Sequence, residues 1–295
     1  MTVDGQIARA HWDSDAQRYI AEHSDYLSEF YWCPERLHER EAQLLGDVSG
    51  QTVVEIGAGT AACSRWLAER FPTARVLATD ISAGMLRQGM NRAAVAGTGA
   101  APAAKAGGGT ASGDSRLHRA QPTVLHRAQA DVLALPVATG KADVAFSSFG
   151  AFAFVRDLAA ALRESARILR PGGRLVIAAN NPFAWVFLDD PGPEGLMACV
   201  PYWQREYREQ EAPGESGHAA QHEQSAQEPD SAQTTTYVEY HHTFGDWVRG
   251  FASAGLALHD VVEPEWTDGA EVWGQWSPLR GAIFPGTQIF VTTKQ

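Results

Sequence analysis

The chain has 295 residues, of which 44% are hydrophobic, and its formal net charge is −11. This length suits one large α/β domain with insertions or two small domains. The acidic balance and the lack of a Lys- or Arg-rich run argue against a nucleic-acid surface or an anionic-membrane surface.

Cysteine usage and hydropathy set further bounds. The three cysteines lie far apart without a Cys-x-x-Cys pair, so we predict neither a disulfide framework nor a metal site. A reducing cytoplasm fits this pattern. The first residues have no apolar core like that of a signal peptide, and the most apolar stretch, residues 142–162, carries three charged residues. We therefore expect no membrane association, and nothing in the sequence predicts an oligomeric state.

Residues 1–50 lack strand signals and predict a helical cap. In residues 15–30, five side chains recur at the spacing of one helical face, and Ser14 or Asp15 is a suitable N-cap. These five are Tyr19, Ile20, His23, Tyr26 and Leu27. Residues 36–45 predict a second helix that ends at Gly46.

Residues 52–68 are the stretch around which the rest of the chain is arranged. The apolar run Val53-Val54-Glu55-Ile56 is followed by Gly57-Ala58-Gly59 and then by a helical pattern. Such a pattern is typical of a buried parallel strand, a tight glycine turn and a helix whose first N–H groups suit an anionic ligand.

Strand and helix patterns then alternate along the chain. Strands are predicted at residues 75–79, 123–127, 141–148 and 174–179, and helices at 82–95 and 157–169. After a helix at residues 243–254, strands at 256–263 and 287–292 end the chain without a further helix. We therefore predict an α/β fold with a doubly wound, mostly parallel sheet of seven strands and a terminal antiparallel strand pair.

Two segments differ in composition from this core, which spans residues 51–180. Residues 96–122 are rich in Ala, Gly, Ser and Thr, and Leu-His-Arg-Ala-Gln occurs twice, at 117–121 and 125–129. We predict a flexible insertion there. Residues 181–242 are predicted to be a variable substrate or lid region with a disordered part at 209–236, and residues 243–295 complete the sheet.

Four motifs recur at the positions expected for one family. They are Glu55-Ile56-Gly57-Ala58-Gly59, Asp80 at the end of the second strand, Asp131-Val132 followed by Leu135-Pro136, and Arg170-Pro171-Gly172-Gly173 before the fifth strand. This pattern resembles the class I S-adenosylmethionine-dependent methyltransferases, in particular their small-molecule branch. The resemblance covers residues 52–179 well. Ala61 stands where the family usually has a third glycine. The whole chain also resembles a group of uncharacterised actinobacterial methyltransferases, through Trp32-Cys33-Pro34-Glu35, Glu263-Pro264-Glu265-Trp266 and the stretch from Arg280-Gly281 to Pro285-Gly286-Thr287.

The resemblance implies a Rossmann-like methyltransferase fold, S-adenosylmethionine as cofactor and a set of binding residues. Gly57, Ala58 and Gly59 would approach the methionine part, and Glu55 would face its ammonium group. Asp80 would accept hydrogen bonds from the ribose hydroxyls. The remaining implied contacts are Ile81, Asp131 and Val132 at the adenine and Phe146 and Ser147 near the methionyl part.

The catalytic residue and the acceptor stay open. Methyl transfer from a sulfonium needs a general base only if the acceptor must lose a proton at the start. Candidates are His241, His242, Tyr240 and Glu239 before the last helix, and Tyr19 and His23 in the cap. Each of them is also suited to a structural role. Aromatic residues that include Trp185, Trp203 and Trp273 suggest either an apolar pocket for a small-molecule acceptor or core filling under long loops.

Two other functions fit part of the pattern. Residues 57–62 match Gly-x-Gly-x-x-Ala, and Asp80 lies where a nicotinamide-dependent oxidoreductase has its ribose-binding acid. However, Glu55 directly before Ile56-Gly57 is typical of methyltransferases, and Asp131 followed by Leu135-Pro136 has no role in dinucleotide binding. The terminal strand pair is also not the usual second half of a dinucleotide-binding fold. A protein that binds the cofactor without catalysis is the other alternative.

Overall fold

The computed structural model describes residues 1–97, 125–211 and 234–295. The strands are β1 (Thr52–Ile56), β2 (Arg75–Asp80), β3 (Leu125–Gln129), β4 (Ala142–Ser148), β5 (Leu169–Asn180), β6 (Glu206–Glu211), β7 (Thr234–Tyr240), β8 (Leu256–Val262) and β9 (Thr287–Lys294). The helices are α1 (Val3–Glu22), α2 (Glu39–Ala42), α3 (Ala62–Arg70), α4 (Ala83–Gly97), α5 (Leu158–Ile168), α6 (Phe244–Ser253) and α7 (Pro278–Gly281).

Seven strands of this described part form one sheet in the order β3-β2-β1-β4-β5-β9-β8. The first five are parallel to one another, whereas β9 runs antiparallel to both β5 and β8. This arrangement confirms the predicted doubly wound sheet with a terminal antiparallel pair. Parallel strands bring their carboxyl ends to the same edge, so the glycine turn after β1 lies near the ends of β2 and β4.

Alternate residues of the central strands build two cores, one on each face of the sheet. Val54 and Ile56 pack with α5 and α6, and Val53 packs on the opposite face with α3 and the N-terminal cap. Side chains of a strand point to opposite faces in turn, which explains why these strands read as continuous apolar runs. Both faces are covered, so the usable open surface is the edge at the strand ends.

The predicted cap helices are shifted or shortened. The first begins at Val3 rather than residue 15, because the Thr2 side chain accepts a hydrogen bond from the Gly5 N–H and caps it. It ends at Glu22, and only a short 3₁₀ turn follows. The predicted helix at residues 36–45 is reduced to α2, because the Glu39 carboxylate binds the N–H groups of Leu44 and Leu45 instead of leaving them to a helix.

Residues 181–242 contain a pair of strands whose inner ends overlap the predicted disordered part at 209–236. Strands β6 and β7 pair antiparallel in a separate two-stranded sheet. The prediction of disorder is therefore wrong for residues 209–211 and 234–236, and residues 212–233 lie outside the described part. Most of the predicted flexible insertion, residues 98–122, lies outside it too.

Candidate functional site

The glycine turn after β1 is bare backbone at the carboxyl edge of the sheet. Gly57 and Gly59 have φ angles of +71° and +52°. A Cβ atom on Gly57 would lie 2.4 Å from the Ala151 Cβ, so only glycine fits there. Ala61, which replaces the family's third glycine, adopts the same left-handed conformation with φ 58° at the start of α3. The turn is thus held in a shape that ordinary side chains resist.

Asp80 ends β2 and faces the glycine turn. Its Oδ2 accepts a hydrogen bond from the Gly59 N–H at 2.7 Å, and its Oδ1 accepts one from the Ser82 N–H at 2.7 Å. Burial raises the pKa of this carboxyl to about 6, although the two N–H donors oppose the shift. An acid held this way retains acceptor capacity for a further ligand.

Glu55 lies within β1, two residues before Gly57, and is buried. Its Oε2 accepts hydrogen bonds from both the N–H and the hydroxyl of Ser64 on α3. Burial raises the pKa of this carboxyl to about 7, and the Ser64 donors act in the opposite direction. The cavity wall therefore has a second carboxyl group, and a cation nearby would favour its ionised form.

The turn after β3 supplies the third acidic position. Asp131 Oδ1 accepts a hydrogen bond from the Leu133 N–H at 3.0 Å, which shapes the turn that carries Val132. Ile81 is held on the other side, where its carbonyl accepts a hydrogen bond from the Gln129 side chain. The predicted cofactor residues of β1, β2 and β3 thus meet at one edge.

These residues line one large cavity with a volume of about 2570 Å³. A pocket for a single drug-sized ligand usually measures about 300–1,000 Å³, so the space exceeds one such molecule. Its remaining walls are α1, the β6–β7 hairpin, the segment after β4 and the loop at residues 273–276. The predicted residues in the wall are Tyr19, Glu55, Gly57, Ala58, Gly59, Asp80, Ile81, Asp131 and Val132.

Phe146 and Ser147 do not reach this cavity. Phe146 is fully buried in the core beside Phe30 and Trp32, and Ser147 is fully buried as well. The next two residues, Ser148 and Phe149, line the cavity instead. The part of β4 that lines the cavity therefore begins at Ser148 rather than at Phe146, because Phe146 packs against the aromatic residues of the N-terminal cap.

The six candidate catalytic residues separate into two groups: Tyr19, His23 and Glu239 line the large cavity, whereas Tyr240, His241 and His242 do not. Tyr19 on α1 lines the large cavity, and burial raises the pKa of its hydroxyl. His241 and His242 lie outside that cavity and line a separate small pocket. His241 stacks on Trp185, and burial lowers its pKa to about 4, while the ring of His242 is hydrogen-bonded to the Val155 carbonyl. Both histidines are thus packed into the protein wall.

The aromatic residues predicted for the pocket behave differently from one another. Trp273 lines the cavity and stacks on His23 with ring centroids 4.0 Å apart. Trp203 is 73% exposed and lies outside the cavity. We predict no strand in residues 181–242 from the sequence. The alternation in residues 234–240 and the repeated Tyr-x-Glu at 207–209 and 237–239 are nevertheless a pattern typical of strands.

Two kinds of feature are absent from the described residues. They contain no group of three or more His, Cys, Asp or Glu side chains arranged to hold a metal ion. None of their helices has the length and apolar character needed to span a membrane.

Comparison with known proteins places these features in a family. The family model described as "Methyltransferase domain" matches residues 54–177. The chain is 30% identical over 206 residues to a demethylmenaquinone methyltransferase from Thermobifida fusca, which covers 69% of this chain and 74% of that protein. It is 33% identical over 126 residues to a malonyl-[acyl-carrier protein] O-methyltransferase from Methylococcus capsulatus, with coverage of 43% and 36%. It thus spans about a third of the length of that relative.

A solved structure agrees in fold. An S-adenosylmethionine-dependent methyltransferase from Mesorhizobium loti aligns with a TM-score of 0.53, over 88% of this chain and 100% of that one. The two sequences are 20% identical. The likeness therefore concerns the backbone architecture.

Proposed function

Because the chain belongs to the class I S-adenosylmethionine-dependent methyltransferases, we propose that it binds the methyl donor across the carboxyl ends of β1, β2 and β3. A small, partly apolar acceptor would occupy the rest of the same cavity. The observation that carries this assignment is the Asp80 carboxylate, which lies in the cavity wall and is hydrogen-bonded to the glycine turn. The family assignment supports a methyltransferase rather than an oxidoreductase or a non-catalytic binding protein.

Asp80 is suited to a ribose with two neighbouring hydroxyls. Each of its oxygens accepts one backbone N–H. Because each carboxylate oxygen has two lone pairs, each retains one for a further donor. Two adjacent hydroxyl groups are such a pair of donors, and hydrogen bonds to a charged acceptor are strong.

The turn residues suit the methionine end of the donor. The bare backbone of Gly57 and Gly59 allows a ligand to approach closely. The N-terminus of α3 favours a carboxylate, and Glu55 favours an ammonium group nearby. Ile81, Asp131 and Val132 are proposed for the adenine.

The remaining residues of the cavity would serve the acceptor. S-adenosylmethionine supplies a methyl group that is already activated by its sulfonium, so the protein mainly aligns the acceptor and excludes water. Tyr19 and Trp12 on α1, together with Trp273, present aromatic surface to the cavity. This surface supports an acceptor with apolar parts.

The ribose assignment is tested by isothermal calorimetry with S-adenosylmethionine. We expect Asp80→Asn to weaken binding by about 1.5–3 kcal/mol, since it removes charge-assisted hydrogen bonds. Asp143→Asn is the matched control: this carboxylate accepts the Thr52 N–H at 2.8 Å but lies at the start of β4, away from the cavity. Equal affinity of the Asp80 variant and the wild type would contradict the proposed site.

We also propose that the enzyme works in a reducing cytoplasm on a small molecule. Cys33, Cys63 and Cys199 are all free thiols. The net charge of −11 supports the absence of a nucleic-acid partner.

A further inference from the structure

The β6–β7 hairpin carries two paired tyrosines and glutamates on the cavity wall. In the strand register Tyr207 lies opposite Glu239, and Glu209 lies opposite Tyr237. All four line the large cavity. Because side chains two apart on a strand share a face, the hairpin presents a surface of alternating phenol and carboxyl groups to the cavity.

Glu239 is held in place by one hydrogen bond from the sheet and one from its own strand. Its Oε1 accepts a hydrogen bond from the Asn180 Nδ2 at 2.9 Å, and its Oε2 accepts one from the Tyr237 hydroxyl at 3.3 Å. Asn180 is the last residue of β5, whose own position is fixed by pairing with β9. The carboxylate retains unused lone pairs and lies in the cavity wall, so it can accept a proton from a ligand.

The surroundings of Glu239 make it a stronger base than a free carboxylate. Burial raises its pKa to about 7, and the charges of Asp189 and Glu209 add to this effect. The hydrogen bonds from Tyr237 and Asn180 act in the opposite direction. A group that titrates near neutral pH can both take up and release a proton during turnover. The same negative surroundings disfavour an acceptor that carries a carboxylate of its own.

Glu239 also lies on the acceptor side of the cavity. Its partner Asn180 is at the end of β5, and the sheet order places β4 between β5 and β1. With neighbouring strands about 4.8 Å apart, the end of β5 is roughly 10 Å across the sheet from the glycine turn. Trp185 lines this part of the wall together with the hairpin tyrosines, so a flat aromatic ring has matching surfaces there.

We propose that Glu239 is the general base of the methyl transfer and that the acceptor is a phenol, whose hydroxyl proton Glu239 receives. The proposal rests on the proposed function above. The hydroxyl O–H bond breaks toward the carboxylate while the phenol oxygen forms a bond to the methyl carbon. The carbon–sulfur bond breaks with its electron pair left on sulfur, so the products are a methyl aryl ether, S-adenosylhomocysteine and a protonated Glu239. Asn180 is a positioning residue that holds the carboxylate.

The need for a base distinguishes a hydroxyl from other acceptors. A neutral hydroxyl is a weak nucleophile until its proton begins to leave, so a placed base accelerates its attack. A neutral amine already offers a lone pair, and a carboxylate is already ionised. Of these three nucleophiles, the phenol is therefore the one that makes use of a carboxyl group such as Glu239.

The first test uses 4-nitrophenol, whose ionised form is coloured, with the full-length protein and S-adenosylhomocysteine. A charged Glu239 beside the probe disfavours the phenolate, so the pKa of the bound probe should exceed that of the free probe. In Glu239→Gln it should fall by about one unit, because the repelling charge is gone. Glu209→Gln is the matched control on the same hairpin and should change it less. An identical probe pKa in wild type and Glu239→Gln would overturn the proposal.

The second test follows methyl transfer from labelled S-adenosylmethionine to simple phenols, aromatic amines and aromatic carboxylates. We expect phenols to be methylated, with kcat at least a hundredfold lower in Glu239→Gln and higher retained activity in Glu209→Gln. Methylation of amines or carboxylates alone, or full activity of Glu239→Gln, would overturn the proposal. Calorimetry with S-adenosylmethionine separates the two assignments: normal donor binding in Glu239→Gln with loss in Asp80→Asn leaves the donor site intact whatever becomes of Glu239.

Discussion

The two halves of the cavity, one proposed for the methyl donor and one for the acceptor, are built in different ways. The donor half comprises the ends of β1, β2 and β3, where Glu55, Asp80 and Asp131 each lie within or directly beyond a parallel strand. The acceptor half comprises α1, the β6–β7 hairpin and residues 273–276, which are far apart in sequence. Strand ends place the donor residues almost automatically, whereas the acceptor wall depends on long-range packing. The first half can therefore stay constant in a family while the second varies.

The largest expected effect is a loss of stability caused by a substitution in the glycine turn of the donor half. Gly57→Ala introduces a Cβ that would lie 2.4 Å from the Ala151 Cβ, at a φ angle of +71°. We expect a stability loss of about 2–4 kcal/mol from strain and overpacking, measured by urea unfolding. Gly140→Ala is the matched control, since Gly140 also has φ +71° but nothing within 4 Å of the added atom. It should cost about 1–2 kcal/mol. Equal losses in both variants would contradict the inference that Ala151 packs closely against the turn.

The second prediction is that the affinity for S-adenosylmethionine depends on pH through the two acids of the donor half, Asp80 and Glu55. The pKa values of Asp80 and Glu55 are raised to about 6 and about 7, and the donor contacts proposed for these two groups require their ionised forms. Affinity for S-adenosylmethionine at pH 5 should therefore be at least about tenfold weaker than at pH 7.5. Calorimetry at both pH values checks this, and Asp80→Asn and Glu55→Gln should each reduce the difference. A flat profile in the wild type would contradict it.

The free protein should respond to pH in the opposite sense. A folded-state pKa above that of the unfolded chain means that the folded protein binds protons more tightly. For Asp80, whose ordinary pKa is 3.8, the contribution of this one carboxyl to stability should then fall as pH rises from about 4 to about 6 and change little above that range, so the slope should differ between wild type and Asp80→Asn. Urea unfolding without cofactor at several pH values measures this slope.

The same contrast explains which features the sequence predicted. Local patterns such as Gly57-Ala58-Gly59 and Asp80 at the end of a strand predict the seven-stranded sheet and the turns at its edge. The fold was therefore predicted correctly from the sequence. Phe146 lies in the core rather than in the cavity wall because its side chain packs against Phe30 and Trp32, a contact that no local pattern shows. The alternation within β6 and β7 is a local signal of strands, but their pairing is not, because more than twenty residues separate the two strands in the sequence.

The third prediction breaks the acceptor half alone. Trp12 on α1 contacts Tyr19 and Phe154 edge-to-face at 5.3 and 5.5 Å. Trp12→Ala should lower stability by about 1–3 kcal/mol through these lost contacts, with donor affinity changed by less than about threefold. Trp203→Ala, at a 73% exposed position, is the control and should stay within about 0.5 kcal/mol of wild type. Thermal unfolding and calorimetry measure both quantities. A strong loss of donor affinity in Trp12→Ala would mean that the two halves are not separable.

The smallest expected effect concerns the bond that links the sheet to the hairpin. Asn180 donates to Glu239 Oε1 at 2.9 Å, and a hydrogen bond to the ionised form lowers the pKa of an acid. Asn180→Ala should thus raise the pKa of Glu239 from about 7 by up to about one unit. Carbon-13 NMR of labelled glutamate resolves this titration, and the Glu239→Gln spectrum identifies the signal. The rate of methyl transfer should increase with pH as Glu239 ionises, and the midpoint of this increase should move to higher pH by the same amount.

Asn181→Ala is the control that distinguishes positioning from general support of the fold. The Asn181 side chain accepts the Phe183 N–H at 3.0 Å and donates to the Pro285 carbonyl, so its loss should lower stability without touching the Glu239 carboxylate. A shift of the Glu239 titration in Asn180→Ala but not in Asn181→Ala would show that the hydrogen bond from Asn180, at the end of β5, helps to set the pKa of Glu239. Equal shifts in both would mean that the carboxylate responds to loosened packing, and the hydrogen bond from Asn180 would then have no specific part in setting its charge.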